Sequence, residues 1–205
     1  MTRRDYSWPA FASYLFHPLF VPLYAVGSYF WLGVDFFTPA QKYLILIQVF
    51  LLTVILPLLF FLLLRSMGRV ASVMIPDPAQ RKTPLLFQML LLYLLISRSL
   101  TPDVSRVLFF FFTGAIISSG LAFAFLYKPM KISLHALSMS AWLGFFTALT
   151  WHFDLNRYAA VAALTFLTGA VMSARLLLKA HTPAELVLGF ACGLFPQLIL
   201  SAFWL

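Results

Sequence analysis

The sequence predicts an all-α fold: a polytopic membrane helix bundle of about six to seven transmembrane helices, forming a single integral membrane domain over residues 1–205. Three observations predict it. Apolar residues make up 62% of the chain and charged residues 10%, with a mean hydropathy of +0.95, whereas charged residues are about a quarter of an ordinary soluble chain. The apolar residues fall into seven runs, most of them near the roughly 20 residues that a helix needs to cross a hydrocarbon core of about 30 Å. Short segments rich in Arg, Lys, Pro and His separate these runs and leave no stretch for a soluble domain.

The first run, about 10–33, contains His17-Pro18 and Pro22. Proline kinks a helix but is tolerated in a membrane where neighbours satisfy the freed carbonyls, so one kinked span is expected. Thr2-Arg3-Arg4 could open a secretory leader, but the following run is aromatic and proline-broken with no small-residue cleavage site, so the segment is expected to stay attached. The second run covers 43–64. The third, 85–100, is short and carries Arg98; it crosses if Arg98 snorkels to the headgroups, with a re-entrant segment as the alternative. Runs at 106–127, 136–153, 158–178 and 185–205 complete the set.

The lone Cys192, inside the last run, excludes an intramolecular disulfide and a thiolate metal cage and reads as a packing residue. Only six Asp and Glu are present, too few for a dedicated acidic cage, and no metal or cofactor is expected. The net charge of +8 fits anionic membrane lipids as partners. Nucleic acid is excluded as a partner, because no soluble basic module exists to bind it. If all seven runs cross, the N-terminus and the loops 65–84, 128–135 and 179–185 share one side, and every polar cluster of interest lies there.

The densest cluster is Ser173-Ala-Arg175-Leu-Leu-Leu-Lys179-Ala-His181-Thr-Pro-Ala-Glu185. Charge and imidazole at the end of a span mark a functional site by default. Thr182, Pro183 and Glu185 read as a capping box with Pro at the first helical position, so Glu185 has a structural role as a cap. It also stands four residues after His181, where a carboxylate can fix one imidazole tautomer while the other nitrogen faces outward. A helix N-terminus attracts phosphate. Arg175 reads either as a snorkelling interfacial residue or as a two-pronged phosphate ligand. A second cluster, Lys131-Ile-Ser133-Leu-His135, lies two runs earlier, with Ser133 as N-cap and His135 in the first turn of the next helix. Of the other histidines, His17 reads as the residue ahead of a helix-kinking proline, and His152 as part of an interfacial belt on the opposite face.

These residues resemble the type 2 phosphatidic acid phosphatase superfamily, membrane lipid phosphatases related to vanadium haloperoxidases. The family's third motif is Ser-Arg, five residues, His, three residues, Asp; Arg175, His181 and Glu185 keep that spacing. The second motif, Pro-Ser-Gly-His, aligns with Ile132-Ser133-Leu134-His135, and two spans separate the motifs in both. The departures are Ala174 at the motif serine, Glu185 for Asp, and Ile132 and Leu134 for Pro and Gly. The first motif, Lys, six residues, Arg-Pro, is replaced at best by Asp77-Pro-Ala-Gln-Arg81-Lys82-Thr-Pro84, from which Arg81 or Lys82 could reach a phosphate.

The resemblance implies a metal-independent phosphoric monoester or diphosphate hydrolase. In it His181 would attack phosphorus and form a phosphohistidine, Glu185 would orient and stabilise the ring, and His135 would protonate the leaving oxygen. Arg175, Ser133, Lys131 and one of Arg81 or Lys82 would hold the phosphate oxygens. A phosphate pocket at the mouth of an apolar bundle suits an amphiphilic lipid phosphate or polyprenyl diphosphate. Two rivals remain: a weak or inactive relative that binds lipid phosphates or a membrane partner, and a small transporter using the same polar groups. The location expected is the cell membrane. Ten Lys and Arg on the motif side against four opposite favour a cytoplasmic site by the positive-inside rule, a bias that shrinks once the four proposed phosphate ligands are set aside. Bacterial members of the resembled family instead usually open to the periplasmic or outer face.

Overall fold

A computed structural model describes residues 8–70, 78–128 and 130–204. Arg3, Arg4 and Asp77 therefore lie outside the described residues. Among the described residues the regular structure is all helical: α1 (Trp8–Leu15), α2 (Val21–Leu32), α3 (Pro39–Phe50), a π turn (Leu51–Ile55), α4 (Leu56–Ser66), α5 (Pro78–Arg98), α6 (Pro102–Phe125), α7 (Leu134–His152), α8 (Tyr158–Leu177) and α9 (Pro183–Leu200), the last followed by a 3₁₀ turn (Ser201–Phe203).

Among the described residues, four helical segments are long and apolar enough to cross a membrane: Pro39–Ser66, Pro102–Phe125, Tyr158–Leu177 and Pro183–Phe203. Even the shortest, at 20 residues, covers about 30 Å at about 1.5 Å per residue. The chain is a membrane protein on this ground. Helix α7 falls outside the four because His135, Ser138, Ser140, Thr147, Thr150 and His152 dilute its apolar residues. It is nevertheless the innermost element, with 13 of its 19 residues buried, and a helix covered by protein on every face needs no continuous apolar surface.

The first run does not form one kinked helix. It divides into α1 and α2 with an elbow at His17–Phe20: Pro18 disfavours the helical region at His17, while Pro22 sits in the first turn of α2, where proline is tolerated. Neither piece crosses alone, since 12 residues reach only about 18 Å. Pro57 has a milder effect. The ladder widens to a π turn at Leu51–Ile55 just ahead of it, which absorbs the missing donor without ending the helix.

Helices α7 and α9 make the closest pairing. Gly189-Phe-Ala-Cys-Gly193 is a small-residue stripe on α9, and it lies against Ser133, Ala136, Leu137 and Ser140. A Cβ on Gly193 would sit 2.0 Å from the Leu137 carbonyl oxygen, and one on Gly189 would sit 2.6 Å from that of Ser133. The two backbones therefore touch, as membrane helices do at small-xxx-small stripes. Around this pair α2, α6 and α8 pack on α7, α1 packs on α8, and α5 packs on α6. Phe111, Phe112, Met139, Phe145 and Leu149 fill the centre.

Candidate active site

The turn between α8 and α9 sets the spacing of Arg175 and His181. Lys179 takes a left-handed conformation, φ 52°. Its N–H donates to the Leu176 carbonyl at 2.8 Å, and the Ala180 N–H donates to the Arg175 carbonyl at 3.1 Å. This is a Schellman turn, and it folds His181 back over the end of α8 towards Arg175. Thr182 then caps α9: its hydroxyl accepts from the Glu185 N–H at 3.3 Å, while Glu185 Oε2 accepts from the Thr182 N–H at 3.0 Å.

Glu185 does more than cap. Its Oε2 also lies 3.1 Å from His181 Nδ1, and its Oε1 accepts from the Lys131 backbone N–H at 3.4 Å. With Nδ1–H donating to the carboxylate, the Nε2 lone pair of His181 is left available. Burial, reinforced by the nearby Arg81 and Arg175 charges and opposed by the hydrogen bond to Glu185, lowers the His181 pKa to about 4. The ring is therefore neutral at pH 7.

The second cluster is pinned to the first by backbone. The Ser133 N–H donates to the Glu185 carbonyl at 3.1 Å, and the Gly189 contact lies one turn further along α9. Ser133 Oγ caps α7 through the Ala136 N–H at 3.4 Å. His135, in the first turn, directs Nε2 at the Ser13 carbonyl oxygen at 2.9 Å, which leaves its Nδ1 as the free nitrogen. Ser13, fully buried in α1, also accepts from Arg175 Nη1 at 3.1 Å through its hydroxyl, which itself donates to the Pro9 carbonyl at 2.8 Å. Arg175 is only 6% exposed, and its Nε has no partner among the described residues.

These groups surround one cavity of about 220 Å³. Arg81, His135, Arg175 and His181 line its polar end together with His17. Burial lowers the Arg81 pKa from its usual value, with Glu185 acting in the opposite sense. The remaining wall is largely apolar and comes from α2, α4, α5, α6 and α7, with Pro57, Phe61, Phe87, Leu92 and Phe111 among its residues.

Of the eight site residues expected from sequence, four line the cavity: His181, His135, Arg175 and Arg81. Glu185 stands behind His181. Ser133, Lys131 and Lys82 are not part of the wall. Ser133 is occupied as a cap, Lys131 approaches through its backbone, and the Lys82 ammonium lies 4.1 Å from the centre of the Tyr127 ring. Sequence reasoning missed Ser13 and His17. The signal was available for His17, a histidine inside an apolar run whose N-terminal end shares a side with the other clusters. For Ser13 there was none. Among the described residues, no group of three or more His, Cys, Asp or Glu is placed to hold a metal ion.

Comparison of the chain with protein-family models, with curated proteins and with solved structures returns no match. The functional reading accordingly stands on the residues and their arrangement.

Proposed function

We propose that the protein is a membrane lipid phosphatase that releases phosphate from a lipid phosphate or polyprenyl diphosphate through a phosphohistidine on His181. The observation that carries this reading is Arg175: a buried guanidinium at the polar end of the cavity, with an unsatisfied Nε, beside a neutral imidazole held by a carboxylate. Buried donors are nearly always paired, and a phosphate oxygen supplies what Arg175 lacks in the geometry that guanidinium binds best.

In this mechanism the phosphate sits against Arg175 and Arg81, which stabilise charge on its oxygens. The His181 Nε2 lone pair forms the N–P bond as the bond from phosphorus to the leaving oxygen breaks. Glu185 balances the positive charge that develops on the ring. Burial and the Arg175 charge lower the His135 pKa well below its usual value, so its ring enters neutral with Nδ1 unprotonated. The substrate, bound as the phosphate monoanion, passes its proton to Nδ1, which gives it to the leaving oxygen. Nδ1 then takes one back from the water that attacks the phosphohistidine and returns it to the departing phosphate. The products are an alcohol, or a phosphate from a diphosphate, and inorganic phosphate. No protein group is changed at the end of the cycle.

The apolar wall supports an amphiphile as substrate, its head at the histidines and its tail along α4, α5 and α6. The family resemblance supports a site opening to the periplasmic or outer face of the cell membrane. A second reading, an inactive relative that binds lipid phosphates, draws on Ser133, Lys131 and Lys82, which leave fewer phosphate donors at the cavity than the motif spacing implies.

The test is phosphate release by the detergent-purified protein from a panel of lipid phosphates, with and without a chelator. Chelator-insensitive release with an acid-labile, base-stable adduct on His181 is expected. Lipid phosphate binding without release would favour the second reading, and release that requires a divalent metal would replace the mechanism.

A further inference from the structure

The elbow between α1 and α2 brings a third imidazole to the polar end of the cavity, and the positions of its nitrogens bear on what it can do. The Leu19 N–H donates to His17 Nδ1 at 3.4 Å. In the neutral ring Nδ1 is therefore the acceptor, and Nε2 carries the proton. The ring meets His135 edge to face, centroids 5.5 Å apart, and lines the same cavity as Arg81, Arg175 and His181. Four residues earlier in the same segment, Ser13 holds both His135 and Arg175.

The cavity is short of donors where the motif spacing would supply them. Ala174 has no hydroxyl, and the Ser133 hydroxyl is occupied in capping α7. We propose that His17 makes up this shortage as a phosphate-binding residue, its Nε2–H donating to a phosphate oxygen held by Arg175. The inference rests on the phosphatase reading of the cavity and extends it to a residue outside every motif position.

Two substitutions separate donation from packing. Gln places an amide nitrogen near the position of Nε2, whereas Asn is too short to reach it. Binding of inorganic phosphate to the detergent-purified protein, measured by titration calorimetry, should weaken on the order of 10-fold to 100-fold in His17→Asn, the range for a lost hydrogen bond to a charged group. In His17→Gln it should stay within about threefold of the parent. Both variants are to be compared at equal melting temperature, and phosphate release from a short-chain phosphatidic acid is measured in parallel. Equal binding by parent and His17→Asn would overturn the role of His17 while leaving an active enzyme intact. Equal weakening in Asn and Gln would also overturn it, because the ring would then act through its shape. A parent protein that neither binds nor releases phosphate would remove the phosphatase reading, and this inference with it.

Discussion

The α8–α9 turn and the α1–α2 elbow face the same cavity but are held there by different means. The turn is fixed by short-range geometry at every step: a Schellman turn, a reciprocal capping box, and a carboxylate that accepts from Thr182, Lys131 and His181. Behind it the backbones of α7 and α9 touch along the glycine stripe. The elbow rests on an eight-residue helix joined to the rest of the site through one buried serine and the edge-to-face contact of His17 with His135. Trp8, Phe11 and Tyr14 on that helix are exposed. Groups that do chemistry must be held to within fractions of an ångström, and rigid elements do this better than loops. On the proposed phosphatase reading, the contrast assigns the nucleophile to the turn and the supplementary contacts to the elbow.

The sharpest way to break this assignment is at His181. His181→Ala should reduce phosphate release by at least about 10³-fold, or about 4 kcal/mol of barrier, and should leave no trappable phosphoenzyme. Release that survives this change would move the chemistry elsewhere in the cavity. The pH profile sharpens the same point. Burial places the His181 pKa at about 4, so the Nε2 lone pair persists down to that region, and its loss should produce an acid limb near pH 4 instead of near 6.5. The sign for stability follows. A folded pKa below the unfolded value contributes stability that is full above pH 6.5 and is lost as pH falls through about 4, which unfolding followed at several pH values would reveal.

Glu185→Gln should have the next largest effect. The amide oxygen can still accept from the Thr182 N–H and keep the cap, but the charge that balances an imidazolium is gone. A fall in turnover on the order of 10²-fold with little change in melting temperature is expected. Unchanged turnover would leave Glu185 as a cap only.

Gly193→Ala and Gly27→Ala test the two regions through packing. The added methyl at 193 would meet the Leu137 carbonyl at 2.0 Å and force α7 and α9 apart. A loss of roughly 1–3 kcal/mol is expected, the usual range for overpacking, with activity falling as His135 shifts away from His181. At Gly27, on α2 beside the elbow, nothing lies within 4 Å of the added methyl. The same substitution there should stabilise by about 0.5–1 kcal/mol, since Ala is the better helix former, and leave turnover unchanged. Thermal unfolding in detergent measures both, and equal effects would erase the difference between the regions.

The helical, membrane-type architecture and four of the five residues at the cavity's polar end were legible in the sequence for reasons that are largely local. Long apolar runs specify membrane helices whatever they pack against, and the Thr182-Pro183-Glu185 cap is written in consecutive residues. Arg175 and His181 share a cavity because a Schellman turn can form between them, a short-range event that the five-residue spacing already contains. The Gly189–Gly193 stripe joins the two clusters only through its contact with α7.

Whether the first run would kink or divide depended on more than its prolines. A kink survives in a membrane when neighbours satisfy the freed carbonyls, and only the packing of α1 on α8 and of α2 on α7 fixed the outcome as two helices. That packing also places Ser13 beside Arg175, 162 residues away along the chain, and beside His135, 122 residues away. No pattern in either segment specifies such a meeting. It follows from which apolar faces find each other, because apolar contact is non-directional and carries no record in sequence of its partner. The sequence by itself determined a membrane helix bundle with a charged and imidazole-bearing turn at one end; the tertiary structure alone decided that Ser13 would hold His135 and Arg175, that His17 would join the cavity, and that Arg81 and not Lys82 would line it.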